Sequence, residues 1–266
     1  MATQRTLTAL LLGDVCGQPG CRALFIGLPQ LIKRYRADIV IVNGENADNG
    51  FGLTEEISRQ FFSLGVNVIT SGNHIWQREE FIETLDKDER ILRPANYPSR
   101  VRGHGYTIVD LKFAKVGVIN LQGRLQMTAI DCPFNSAKSI VDKIKKQCDA
   151  LIIDFHAEVP QEKEALGLFM DGKASVVVGT HTHVQTMDER ILPKGCGYIT
   201  DLGMCGPFDS VIGSDPMIAI KRQLTQIPFK NEILDAPATL QGVVAKIDLS
   251  TKKCLSIERV KENFHL

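Results

Sequence analysis

No two of the seven cysteines stand in a Cys-x-x-Cys pair, and their number is odd. Scattered thiols of this kind argue against a disulfide framework and a thiolate zinc site, and they fit a reducing, cytoplasmic compartment. Net charge is lacking too. Lys+Arg and Asp+Glu both number 31, so no overall field draws the chain to long nucleic acid or an anionic membrane. No apolar run approaches the ~18–20 residues of a membrane span. Asp14 interrupts the short run Leu7–Leu12 before a signal-peptide core forms. Low-complexity segments and short repeats are missing as well. What remains is 266 residues, 44% hydrophobic and 23% charged, an ordinary soluble composition at a length suited to one large domain, 1–266.

Strands alternate with amphipathic helices along the chain. LTALLLGDV (7–15), ADIVIVNGEN (37–46) and VNVITSGNH (66–74) are short apolar runs with abrupt polar ends, as expected of buried parallel strands. GQPG (17–20) reads as a turn, followed by a helix from Cys21 to Tyr35; Thr54 can cap a helix running to about Leu64. A helix flanked by Glu79, Glu80 and Glu83 leads to a Pro-punctuated connection at 91–98. The second half offers strands at 105–111, 115–121, 149–158, 175–183 and 198–203, with helices at about 137–147 and at 160–170. The alternating segments 241–249 and 254–260 suggest that a second sheet is mixed, and the Pro and Gly between 203 and 237 suggest an irregular excursion. This order predicts an α/β fold with helices on both faces.

In an open α/β sheet, ligands bind beyond the carboxyl ends of the strands. Those ends carry Asp14; Asn43, Glu45 and Asn46; Asn73 and His74; His156 and Glu158; His181 and His183; and Asp201. Taken singly, Asp14 reads equally as a helix cap, and Asn43 as a turn residue in left-handed backbone. A lone His74 or His156 would more often be structural. The row fits chance poorly. Oxygen and imidazole donors without thiolate suit Mn, Fe, Zn or Co. Glu45 could bridge two ions. His181 and His183, two apart, would leave one face of an extended strand and could serve one metal each.

GDVCG (13–17), NGENADNG (43–50), GNHIW (72–76), DFHAE (154–158) and GTHTH (179–183) resemble, in order, the motif blocks of calcineurin-like metallophosphoesterases. The strings NGENA, DFHAE and GTHTHVQTMD look like the YmdB-like subfamily of bacterial phosphodiesterases. The resemblance implies a four-layer α/β/β/α sandwich of two mixed sheets. It implies two divalent metal ions, Fe or Mn before Zn or Co, held by Asp14, Glu45, Asn46, Asn73, His156, His181 and His183. Asp14, Asn46 and His183 would belong mainly to one metal, and Asn73, His156 and His181 to the other, with Glu45 between them. His74 matches the general acid. Cys16 stands where the broader superfamily has a histidine, and Glu45 where it has an aspartate, so the first metal gains weaker, harder ligands.

The implied activity is hydrolysis of small cyclic nucleotides, 2′,3′ or 3′,5′, through attack by a metal-bridging hydroxide. Two divalent cations, two carboxylates and one hydroxide leave a single positive charge, which a monoanionic phosphodiester balances. The rival readings are a phosphomonoesterase, a nuclease for short oligonucleotides, or a nucleotide-binding regulatory protein with weak catalysis. Arg124 could meet a phosphate, though a surface role fits better; Glu158 and Asp201 could orient ligating histidines. Lys163 reads as solvated, His104 and His265 as structural or exposed, and Trp76 as core before pocket wall. A homo-oligomer is compatible with the resemblance.

Overall fold

The computed structural model describes residues 5–265; residues 1–4 and Leu266 of the expected 1–266 domain lie outside them. The first sheet runs β2 (Asp14–Val15), β11 (Met204–Pro207), β12 (Ala238–Asp248), β1 (Thr6–Leu12), β3 (Ile39–Asn43) and β4 (Val68–Thr70), with β13 (Lys253–Phe264) also paired to β12. The second runs β5 (Tyr106–Asp110), β6 (Lys115–Gln122), β7 (Ala150–His156), β8 (Val176–Thr180), β10 (Gly197–Ile199) and β9 (Arg190–Ile191).

The period-two pattern of each strand builds the layers. Leu7, Ala9, Leu11, Ile39 and Ile41 face Val116, Val118, Ile152, Val176 and Val178 in a core between the sheets. Leu10, Leu12, Val40 and Val42 point the other way, against Ala23, Leu24, Leu28 and Leu31 of α1 (Gly17–Tyr35) and Ile57 and Phe61 of α2 (Glu55–Ser63). Ile119, Leu121, Ile153 and Val177 meet α4 (Pro133–Ile144) and α5 (Pro160–Met170) on the opposite outer face. The result is the expected four-layer α/β/β/α sandwich of two mixed sheets. A short α3 (Glu79–Ile82) continues into 3-10 turns rather than a long helix.

Several boundaries differ from the sequence pattern, for physical reasons. α1 begins at Gly17, not Cys21, because Pro19 lies in its first turn, where a missing N–H costs nothing. Pro133 likewise starts α4 four residues early. The excursion contains a helix, α6 (Pro216–Thr225), capped by Asp215 Oδ1, which accepts from the backbone N–H groups of Met217 and Ile218. β12 and β13 do not extend the second sheet. β12 pairs antiparallel with β1, Leu7 opposite Ile247, and this makes the first sheet mixed; β5 and β9 make the second mixed. Strands β1, β3, β4, β7 and β8 all end toward one edge, and the candidate residues gather there.

Candidate metal centre

Three strand ends bury their acids and imidazole completely. Asp14, Glu45 and His156 have no exposed surface. An unpaired carboxylate in such a place costs several kcal/mol, so its partners identify its purpose. Glu45 Oε2 accepts the backbone N–H of His74 at 3.1 Å. Its Oε1 meets only ring nitrogens, His156 Nε2 at 3.1 Å and His74 Nδ1 at 3.3 Å, and neither is aligned as a hydrogen bond. Asp14 Oδ2 accepts the His181 N–H at 3.1 Å. Asp14 Oδ1 and Asn73 Oδ1 are buried without a hydrogen bond, the Asp14 oxygen having only His156 Nδ1 near it at 3.6 Å. Glu45, His156 and His181 present ligand atoms within 4.8 Å of one another. Unpaired oxygens converging with imidazole nitrogens are the donor set a divalent cation requires, so these residues fit the implied metal.

The imidazole tautomers follow from the network. The Thr180 hydroxyl donates to Asp154 Oδ1 at 2.7 Å and therefore accepts from His156 Nδ1 at 3.0 Å. His156 Nε2 is thereby aimed at Glu45 and at His181 Nδ1, 3.0 Å away. Asn46 works in the same manner on the other side. Its Oδ1 accepts from His74 Nδ1 at 2.7 Å, its amide donates to His183 Nε2 at 2.8 Å, and His183 Nδ1 donates to the Ile212 carbonyl at 2.9 Å. Asp14, His156 and His181 thus contact one another on one side, and Asn46 contacts His183 and His74 on the other, with Glu45 meeting His156 and His74 between them.

Charge follows geometry. Burial raises the Asp14 carboxyl to about 6, with His156 and His183 only partly offsetting it. Burial alone would also raise Glu45, but His156 and His74 outweigh it and hold this carboxylate well below the usual range. For His156, burial works against the cation, yet Glu45 and Asp14 win and lift it to about 9. Burial and the neighbouring His156 push His181 down to about 3, so this ring is neutral.

Some expectations need correction. His181 and His183 do not leave an extended strand: β8 ends at Thr180, and their φ angles are 103° and 63°. Such backbone is uncommon outside glycine and must be over-determined by its surroundings. Asp201 does this by accepting from the Thr182 N–H at 3.2 Å and its hydroxyl at 2.8 Å, rather than by touching either histidine. Lys163 is not solvated; it is 1% exposed and donates to Asp201 at 2.6 Å. Asn43 is not a left-handed turn residue. It is buried, its Oδ1 accepts the Glu45 N–H, and its amide donates to Asp154. Glu158 does meet His181, 3.0 Å from Nε2. Cys16 is buried beside the site with its thiol pushed up to about 12 by burial and Asp14. Arg124 is exposed and outside the pocket, as are His104 and His265; Trp76 packs on the core and against Tyr97. Asp154 went unread, although its place two residues before His156 puts both side chains on one strand face.

A cavity of about 270 Å³ opens over these residues, bounded by Glu45, Asn46, His74, His181 and His183. The family described as "YmdB-like protein" matches residues 10–260. Over 254 residues, 96% of each chain, the sequence is 45% identical to the 2′,3′-cyclic-nucleotide 2′-phosphodiesterase of Bacillus subtilis (strain 168). The crystal structure of a novel phosphatase from Mycoplasma pneumoniae superposes with a TM-score of 0.93 at 35% identity, covering 99% of this chain and 95% of that one. That of a hypothetical protein from Thermus thermophilus gives 0.90 at 33% identity, covering 97% and 100%. With its calcineurin-like sandwich and its full-length match to these proteins, the chain belongs to the YmdB-like family.

Proposed function

We propose that this phosphoesterase is a metal-dependent phosphodiesterase of small cyclic nucleotides, with the 2′,3′ ring as first substrate and the 3′,5′ ring as second. One observation carries the reading. Glu45, His156 and His181 converge their ligand atoms within 4.8 Å of one another, Glu45 Oε1 meeting only imidazoles, while Asp14, beside His156 and His181, keeps one buried oxygen without a hydrogen bond. Two divalent cations, Fe or Mn before Zn or Co, would be held by Asp14, Glu45, Asn46, Asn73, His156, His181 and His183. Bound there, they would supply Lewis acidity toward the phosphoryl group and an activated water.

The chain's own residues do the rest. Glu45 holds negative charge between the two imidazole clusters. Thr180 and Ile212 fix the far nitrogens of His156 and His183, so that His156 turns its Nε2 to Glu45 and His183 turns its Nε2 to Asn46. His74 spends its Nδ1 proton on Asn46, which leaves Nε2 to face a leaving ribosyl oxygen and give it a proton. General acid catalysis of this kind contributes ~10²–10⁴-fold. No described helix is long and apolar enough to cross a membrane.

The decisive experiment combines metal analysis of protein purified without chelators with turnover of 2′,3′-cyclic AMP, 3′,5′-cyclic AMP and adenosine monophosphates. The expected result is two equivalents of Fe or Mn and cleavage of the cyclic diesters ahead of the monoesters. Preferential monoester cleavage would make the chain a phosphomonoesterase. Binding without even single-turnover hydrolysis in added Mn or Fe would make it a nucleotide-binding regulator.

A further inference from the structure

One wall of the cavity is unlike the rest. Beyond the imidazoles stand Phe51, Ile212 and Ile233, with Asn231 and Ser214 between them. Phe51 sits edge-on to His74, ring centres 5.1 Å apart, yet 41% of its surface stays exposed. Ile212 is 53% exposed. Apolar groups are held at the mouth of a charged centre, where solvent contact is costly unless a ligand covers them.

The wall is built, not incidental. Phe51 follows Asn46 on a tight loop closed by Gly50 N–H to the Asn46 carbonyl and Gly52 N–H to the Glu45 carbonyl. Ile233 is wedged where Gly17 and Gly50 lack side chains; a Cβ on either would approach it to 2.8 or 2.7 Å. Bridges from Val211 to Ser214 and from Ser214 to Ile233 tie the excursion together. Asn231 donates its amide to Ser214 Oγ at 2.6 Å, and this fixes its Oδ1 as an acceptor, buried and without a donor. A flat apolar face, aliphatic flanks and one committed acceptor beside a phosphate-handling centre describe the seat of a heteroaromatic base.

We infer that Phe51, Ile212, Ile233 and Asn231 form a nucleobase seat: the base packs on Phe51 between the isoleucines, and an edge N–H donates to Asn231 Oδ1. The seat rests on the cyclic-nucleotide reading and adds what that reading leaves open, namely how the enzyme distinguishes a nucleotide from any other small diester. Base–aromatic stacking lost by alanine substitution corresponds to about tenfold or more in affinity.

The test compares kcat/KM on 2′,3′-cyclic AMP with kcat/KM on the base-free methyl riboside 2′,3′-cyclic phosphate. Wild-type protein should prefer the nucleotide, and Phe51→Ala should reduce that ratio about tenfold, chiefly through KM. Asn231→Leu should reduce it further for a base with an edge N–H than for purine riboside, which has none. Equilibrium binding of adenosine 3′-monophosphate, weakened about tenfold in Phe51→Ala, reads the seat without turnover. An unchanged ratio together with unchanged monophosphate binding would overturn the seat and leave the phosphodiesterase reading intact. Weakened monophosphate binding in protein that cleaves no diester would support the seat and sink the reading beneath it.

Discussion

His156 and His181 bring Nε2 and Nδ1 to 3.0 Å of each other with their rings crossed at 72°, and they carry unlike charge. Glu45 and Asp14 lift His156 to about 9, whereas burial and that same cation hold His181 near 3. A metal ion entering between them must expel the His156 proton. Calorimetric titration with Mn in buffers of different ionisation enthalpy should therefore register release of about one proton at pH 7.5. Near pH 6 release should increase, because Asp14, raised to about 6, is then partly protonated too. Apparent affinity should rise with pH up to about 9. Affinity flat from pH 6 to 8 would contradict this charge assignment.

His74 touches Asn46 and Glu45 through Nδ1, so its removal strips a proton donor without deleting an orphaned oxygen. His74→Ala should retain its metal content while losing ~10²–10⁴-fold in turnover of diesters with poor leaving groups. An aryl diester, whose leaving group needs no proton, should suffer far less. Equal losses on both substrates would remove His74 from the acid role.

The Lys163–Asp201 pair lies behind the His181–His183 segment, and both side chains are 1% exposed. Removing one partner of a buried pair leaves an uncompensated charge and costs ~3–5 kcal/mol, whereas replacing both is often near neutral. Lys163→Met and Asp201→Leu should each lower Tm by roughly 10 °C at 2–4 °C per kcal/mol, and the double variant should be more stable than the sum of the two predicts. Because Asp201 also holds Thr182, variants lacking it should bind metal more weakly. Strict additivity in the thermal melts would mean that the pair is not coupled.

The strand-end donors were legible because a buried parallel strand is a continuous apolar run, and a polar residue closing such a run is conspicuous. Asp14, Glu45 and His156 are all of this kind; the same runs marked an α/β fold with helices on both faces, whereas the four layers came from the family resemblance. Long-range pairing left no such mark. Nothing in 241–249 announces that it will lie against β1, near the other end of the chain. Lys163 looked solvated because its helix gives no hint of Asp201, 38 residues away. The positive φ angles of His181 and His183 depend on the same distant aspartate, so local alternation suggested a strand where the backbone turns. Pro and Gly hid α6, none of whose residues is buried; only its Asp-Pro cap marked it.

Cys16 lies buried beside the site, and burial and Asp14 push its thiol up to about 12, so binding an ion through sulfur would require the loss of a strongly held proton. Cys16→Ser should therefore keep the metal stoichiometry of wild-type protein, measured by elemental analysis after gel filtration. Loss of one equivalent would make the sulfur a ligand after all.

Gly72 offers a sharper test of the centre's geometry. A Cβ there would lie 2.0 Å from His156 Cδ2 and 2.4 Å from Glu45 Oε2, inside both van der Waals surfaces. Neither neighbour can easily yield, since Thr180 anchors His156 from behind and the His74 N–H holds the Glu45 carboxylate. Overpacking of this sort typically costs ~1–3 kcal/mol, which a folded domain can tolerate. The donors, however, must move apart, and ~1 Å of misplacement at a reacting centre can cost ~10²-fold in rate. Gly72→Ala should fold with an unchanged circular dichroism spectrum, bind less metal at a given free concentration, and lose at least that factor in kcat. Wild-type metal affinity and turnover in this variant would mean that His156 and Glu45 do not share the ion that the pocket is shaped to hold.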